Sequence, residues 1–148
     1  MRAGELAAEF PVVSLDTPAL EAAKLLADQN LPGLVVVDER NRPVTILAGT
    51  QVLRMIVPVY YQDDPALARV IDEASADHFT TELEGRTVRE VLPDEWRDLP
   101  VVEPVATVLE LAAVMVRSHC PLAAVADTDG TLTGVVTLDG LLDRMLAR

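Results

Sequence analysis

Apolar residues fall along this chain in short blocks whose spacing switches between a strand period and a helix period. A short helix is predicted over 2–9, with Leu6 as its apolar contact, followed by a strand over 11–14. Asp16-Thr17-Pro18 then reads as a turn that starts a helix, with Pro18 near the first helical position after a Thr or Asp cap. In 19–29 the residues Leu20, Ala23, Leu26 and Ala27 form a stripe at 3.6-residue spacing, and Asn30 to Gly33 end it. Strands over 34–38 and 44–48 flank a polar turn, and a helix over 51–57 stops at Pro58.

The stretch Gly134-Val135-Val136-Thr137-Leu138-Asp139-Gly140 reads as a buried strand that turns into a helix. Two β-branched residues suit a packed strand. The Thr137 hydroxyl is placed to accept a hydrogen bond from the first helical turn, and Asp139 sits where the helix dipole favours negative charge. By itself this describes a capped helix. The stretch has a twin, however, at an offset of 89 residues. That offset lays Leu31-Pro32-Gly33 over Cys120-Pro121-Leu122, Pro11-Val12-Val13 over Pro100-Val101-Val102, and Asp38 over Asp127. It also lays Thr45–Gln51 over Gly134–Gly140 without a gap. The second copy is predicted as a strand over 101–103, a helix over 107–118, strands over 122–126 and 133–136, and a helix over 141–147. Two copies of roughly fifty to sixty residues are each too small for a large core, so they are expected to pack on one another.

Between them, 59–85 has no counterpart and reads as an acidic helical insertion, with an Asp64-Pro65 helix start and a Gly85 stop. Thr87-Val88-Arg89-Glu90 has capping-box spacing and opens the leading helix of the second copy. The expected units are therefore 1–58, 59–85 and 86–148.

Half of the 148 residues are hydrophobic but only five are aromatic, so the core must be aliphatic. A net charge of −12 argues against a nucleic-acid or anionic-membrane surface. Cys120 is the single cysteine, which excludes an internal disulfide and suits a reducing compartment. Residues 1–10 do not read as a secretory signal, and the apolar stretch 46–61 is too interrupted to span a bilayer. A cytoplasmic protein is the expectation. His119-Cys120 lacks the third group that a nucleophilic pair needs, His78 is isolated, and Asp127/Asp129 read as a turn. No catalytic residue and no metal ligand is assigned. Tyr60-Tyr61 read as an anchor closing the core, and Trp96 as a partly buried lid.

The repeated strand-helix-strand-strand-helix unit, the Pro-Val-Val strand, Leu31–Asp38 and the Gly134–Gly140 turn together resemble a tandem pair of CBS domains, the regulatory module of cystathionine β-synthase. The resemblance implies an α/β fold of two three-stranded sheets packed face to face with pseudo-two-fold symmetry, two clefts, and dimerisation. It also implies adenosine-containing ligands in those clefts. The family signature is Gly, two variable residues, Thr or Ser, two variable residues, then Asp, with the hydroxyl meeting phosphate and the Asp meeting ribose. In the second copy Gly134 and Thr137 match, while Gly140 holds the Asp position and Asp139 lies one residue early. One residue on a helix is a rotation of about 100°. In the first copy Thr45, Ala48 and Gln51 hold the three positions, with Thr50 displaced in the same way.

On this resemblance the ligand contacts of the second copy are Gly134, Thr137, Asp139 and Gly140, with Val102, Cys120 and Pro121. Those of the first are Thr45, Thr50 and Gln51, with Val13 and Pro32. The implied function is a non-enzymatic ligand sensor needing no cofactor, with AMP, adenosine, S-adenosylmethionine or ATP as regulatory ligand. It would act in trans on a separately encoded enzyme, channel or transporter. The other reading is a structural or interaction pair with degenerate sites. Val52, Leu53, Met55 and Ile56, with Leu141, Leu142 and Met145, exceed what one sheet face needs and point to a homodimer.

Overall fold

The computed structural model describes residues 1–56, 66, 83–96 and 99–147. The expectations for Tyr60-Tyr61, Asp64-Pro65 and His78 lie outside the described residues. In order, the elements are α1 (Ala3–Leu6), β1 (Val12–Ser14), α2 (Ala19–Asp28), β2 (Gly33–Val37), β3 (Pro43–Ala48) and α3 (Gly49–Ile56). The second half runs α4 (Val88–Val91), β4 (Val101–Val102), α5 (Val108–Ser118), β5 (Leu122–Ala126), β6 (Leu132–Thr137) and α6 (Leu138–Leu146).

Two three-stranded sheets form, ordered β1-β2-β3 and β4-β5-β6. In each, the first strand pairs parallel to the second and the second antiparallel to the third. The central strands β2 and β5 are buried at every residue, as expected of strands covered on both faces. Strand alternation divides their side chains. Leu34 and Val36 face the helices of the first unit, and Ala123 and Val125 those of the second. Val35 and Val37 meet Leu122, Ala124 and Cys120 in a core between the two sheets. The molecule is thus two β-α-β-β-α units packed sheet on sheet.

The repeat extends to backbone conformation. Asn30 and His119, equivalent under the offset, both end their helices at φ +53, a left-handed conformation that suits Asn. Asp38 Oδ1 accepts from the N–H groups of Arg40 and Arg42 at 2.8 and 3.0 Å. Its twin Asp127 Oδ1 accepts from Asp129 and Thr131 at 3.3 and 3.1 Å. The acidic pair is a hairpin turn, as the sequence indicates.

Three expectations need correction. The stripe of α2 that faces the sheet is Ala19, Ala22 and Leu26, with Ala27 exposed. The two small alanines let the helix lie close to the strands, and Leu20 and Ala23 pack at its flank. Pro18 precedes α2 instead of opening it, and no side chain caps the helix. The Thr17 hydroxyl accepts from Ser14 N–H at 3.0 Å, while Ala19 N–H donates to the Arg86 carbonyl at 2.9 Å.

That last bond exposes the third difference. The short helix α4 leads the second repeat in sequence but docks on the first: Val88, Val91 and Leu92 sit in its helical core. Reciprocally, Ala3 of α1 is fully buried in the core of the second unit. Ala3 and Gly4 N–H donate to the carbonyls of Ala106 and Pro104, and Val88 and Arg89 N–H to those of Thr17 and Leu15. Each leading segment therefore completes the other unit. Glu5 and Glu90 hold the two turns alike, each accepting from the backbone N–H three residues before it.

Candidate functional site

Strand β6 turns into α6 at Thr137, and the local chemistry fixes that corner. The Thr137 hydroxyl accepts from Gly140 N–H at 3.0 Å, and Leu138 N–H donates to the Pro121 carbonyl at 2.9 Å. The corner forms one wall of a 490 Å³ cavity lined also by Phe10, Asn30, Leu31, Pro32, Pro121, Leu138 and Asp139. Its walls come from both units, because the sheet-on-sheet packing brings the α2–β2 loop of the first against the β6–α6 corner of the second. The volume lies within the range of small-ligand sites. Thr137 is half-buried and Asp139 exposed, an arrangement that offers a hydroxyl and a carboxylate beside an aromatic ring and two prolines.

Of the twelve residues singled out from sequence, Pro32, Pro121, Thr137 and Asp139 meet at this cavity. Gly140 is exposed on the first turn of α6, where its N–H is held by Thr137 and an added Cβ would lie 3.1 Å from that hydroxyl. Gly134 has a different task. A Cβ there would come within 2.8 Å of the Ala7 Cβ, so the glycine admits the leading segment against β6. Ala8 and Val135 pair there through two backbone hydrogen bonds of 3.0 and 3.1 Å.

Val13, Val102 and Cys120 do not line this cavity. The strand pleat turns Val13 and Val102 toward the helices, where both are buried, and Val12 lines the neighbouring cavity in place of Val13. Cys120 is only 4% exposed and packs between the sheets, while its neighbour His119 is exposed. In the first unit, Thr45 is fully buried and Thr50 exposed. Gln51, at the Asp position of the signature, folds back so that its Oε1 accepts from Ala48 N–H at 2.7 Å. That amide acts as a helix cap. Trp96 is exposed, at 39%, where the sequence suggests a partly buried lid.

Sequence reading missed Phe10, Asn30, Leu31 and Leu138. The available signal was the offset itself, which pairs Phe10 with the inter-sheet residue Leu99 and Asn30 with His119.

A second cavity of 550 Å³ adjoins the first at Phe10 and is lined by Glu9, Val12, Gln29, Asn41, Leu132 and Thr133–Val135. Near it the two hairpin tips meet: the Asn41 carbonyl accepts from Leu132 N–H at 2.9 Å. Here carboxylates are stabilised as anions. Asp129 is pulled down to about 2, first by its side-chain hydrogen bond with Asp127 and then by the Thr131 hydroxyl and N–H. Asp38 is lowered first by Arg42 N–H and next by Arg40 N–H. Among the described residues no Lys or Arg lines either cavity, and no cluster of potential metal ligands occurs.

Two β-α-β-β-α units with a cleft shared between them define a tandem two-unit α/β architecture. The family model for the CBS domain matches residues 3–58 and 88–147, and the chain belongs to the CBS-domain family. A CBS domain-containing protein of unknown function from Kribbella flavida is 48% identical, with a TM-score of 0.89 and 99% of each chain covered. CBSX2 from Arabidopsis thaliana, whose structure has been solved in complex with AMP, is similar at 19% identity and a TM-score of 0.68, covering 98% of this chain and 96% of that one. The CBS domain of a membrane protein from Sphaerobacter thermophilus is 22% identical, with a TM-score of 0.72, 100% of this chain and 90% of that chain. No curated protein matches significantly. No described helix is long and apolar enough to cross a membrane.

Proposed function

We propose that this CBS pair is a non-enzymatic regulatory module that binds an adenosine-containing small molecule in the inter-repeat cleft and acts in trans on a partner protein. The observation that carries this is the 490 Å³ cavity, which unites Thr137 and Asp139 with the α2–β2 loop of the other unit. A ligand there touches both units, so its binding free energy can favour one relative placement of the two, which is what sensing requires. AMP bound to the related CBSX2 supports the ligand class. The first unit offers less: its Gln51 is committed to Ala48 N–H, so one ligand per chain is expected. The working units are 1–58 and 86–148, joined by the insertion 59–85, in a cytoplasmic homodimer.

Titration calorimetry with adenosine, AMP, ADP, ATP and S-adenosylmethionine tests the proposal. Saturable binding of at least one at one site per chain supports it, and no heat or thermal shift at millimolar ligand overturns it. The second reading is an interaction module with degenerate sites. It is favoured by a specific observation, the glycine at position 140 where the signature has its ribose-binding Asp, and it gains if every titration is silent.

A further inference from the structure

The wall that Glu9, Phe10, Pro11 and Val12 give the 550 Å³ cavity is the tail of the α1 segment. Residues 1–8 sit on the second unit, β1 pairs within the first, and 9–11 carry the chain across. The seat of that segment is small. Ala3 is fully buried there, Leu6 and Ala7 are half-buried, and Ala3, Gly4 and Ala8 N–H donate to carbonyls of the second unit. A segment with so little apolar contact opens locally at low cost. Its last residue closes a sheet edge, because β6 is an outer strand of its sheet and Ala8 pairs with Val135 along it. With the segment gone, the backbone groups of Val135 stand unpaired on that edge, open to another strand. The α4 segment makes the reciprocal crossing through 93–100, and none of its described residues lines either cavity. Among the described residues, the cleft is thus touched by the α1 crossing and not by the α4 crossing.

We propose that residues 1–8 are a strap that occupancy of the cleft locks onto the second unit and that an empty cleft releases, baring the β6 edge. This rests on the adenosine reading above. A molecule that meets Glu9–Val12 on one side and Gly134–Val135 on the other binds best when the strap is docked. By linkage it then makes undocking harder by the same factor. Hydrogen exchange of the full chain, read amide by amide with and without saturating AMP, tests this; should AMP be silent, the tightest binder of the five compounds titrated above replaces it. The ligand should slow the Ala3, Gly4 and Ala8 amides about fivefold or more, the lower end of allosteric couplings. Val88 and Arg89, the matching amides of α4, should stay within about twofold. Ala3→Glu puts a charge in the buried seat of the strap without touching the cavity. It should unprotect Ala8 and weaken binding by a factor similar to the slowing, and Ala3→Ser should do both to a smaller extent if the Glu variant fails to melt cooperatively. Binding with equal slowing at Ala8 and Val88, or with none at Ala8, overturns the strap and leaves the adenosine reading standing. So does unchanged affinity in a folded Ala3 variant whose Ala8 amide has lost protection. Failure of all five compounds to bind overturns both.

Discussion

At the residue scale, Thr137 and Gln51 occupy comparable corners with different commitments, and substitution separates them. Thr137→Val removes a helix cap worth about 1 kcal/mol and also the hydroxyl that faces the cavity. It should lower both the melting temperature and ligand affinity. Gln51→Ala removes the bond to Ala48 N–H, so it should lower stability by a similar amount and leave affinity intact; calorimetry on both variants checks the split. Glycines separate in the same manner. Gly134→Ala sets a Cβ 2.8 Å from that of Ala7 and should cost about 1–3 kcal/mol, the usual range for overpacking. Gly49→Ala, at a helix start with nothing within 4 Å, should be neutral or slightly stabilising; urea unfolding measures both. The hairpin carboxylates give a pH dependence of known sign. Asp129 lies below its unfolded value of 3.8, at about 2, and Asp38 is also lowered. Their stabilisation is complete above about pH 4 and is lost as pH falls toward 2. Acid unfolding followed by circular dichroism should therefore show a shallower limb for Asp129→Asn.

At the element scale, the leading segments matter more than their four-residue helices suggest. Removing residues 1–8 deletes buried Ala3 and the Ala8–Val135 pairing, so hydrogen exchange should rise first in β6 and the start of α5, with β2 and β3 affected less. The identity and order of the strands and long helices were legible in the sequence because aliphatic runs such as 34–37 and 122–126 admit one reading, and the 89-residue offset supplied the second copy. The docking of α1 and α4 was not legible, since Ala3-Gly4-Glu5-Leu6 and Val88–Val91 carry no mark of the sheet they cover. Half of the cavity's lining was legible. Pro32, Pro121, Thr137 and Asp139 lie at turns, which local chemistry specifies. Val13 and Val102 turn toward the helices, which the sequence left open because in a two- or three-residue strand either phase satisfies the apolar pattern. Cys120 points into the core, as a residue next to a cavity-lining turn can.

At the scale of the whole molecule, both units expose apolar helix residues, Leu53 on α3 among them. In the second unit Leu109, Val116, Leu142, Met145 and Leu146 are exposed on α5 and α6, and α2 has Lys24 and Ala27 where α5 has Ala113 and Val116. We expect light scattering to give the mass of a dimer at micromolar concentration, and Leu142→Asp with Met145→Glu to give a monomer that still melts cooperatively. A monomeric wild-type mass would refute this. A cut between 86 and 87 leaves residues 1–86 holding the wedge that the other fragment lacks, and residues 87–148 holding the wedge that the first lacks. Neither piece can close its own interior, yet each supplies what the other is missing. Two separately expressed fragments should therefore be poorly structured alone and reassemble on mixing, which circular dichroism of the fragments and of their mixture checks.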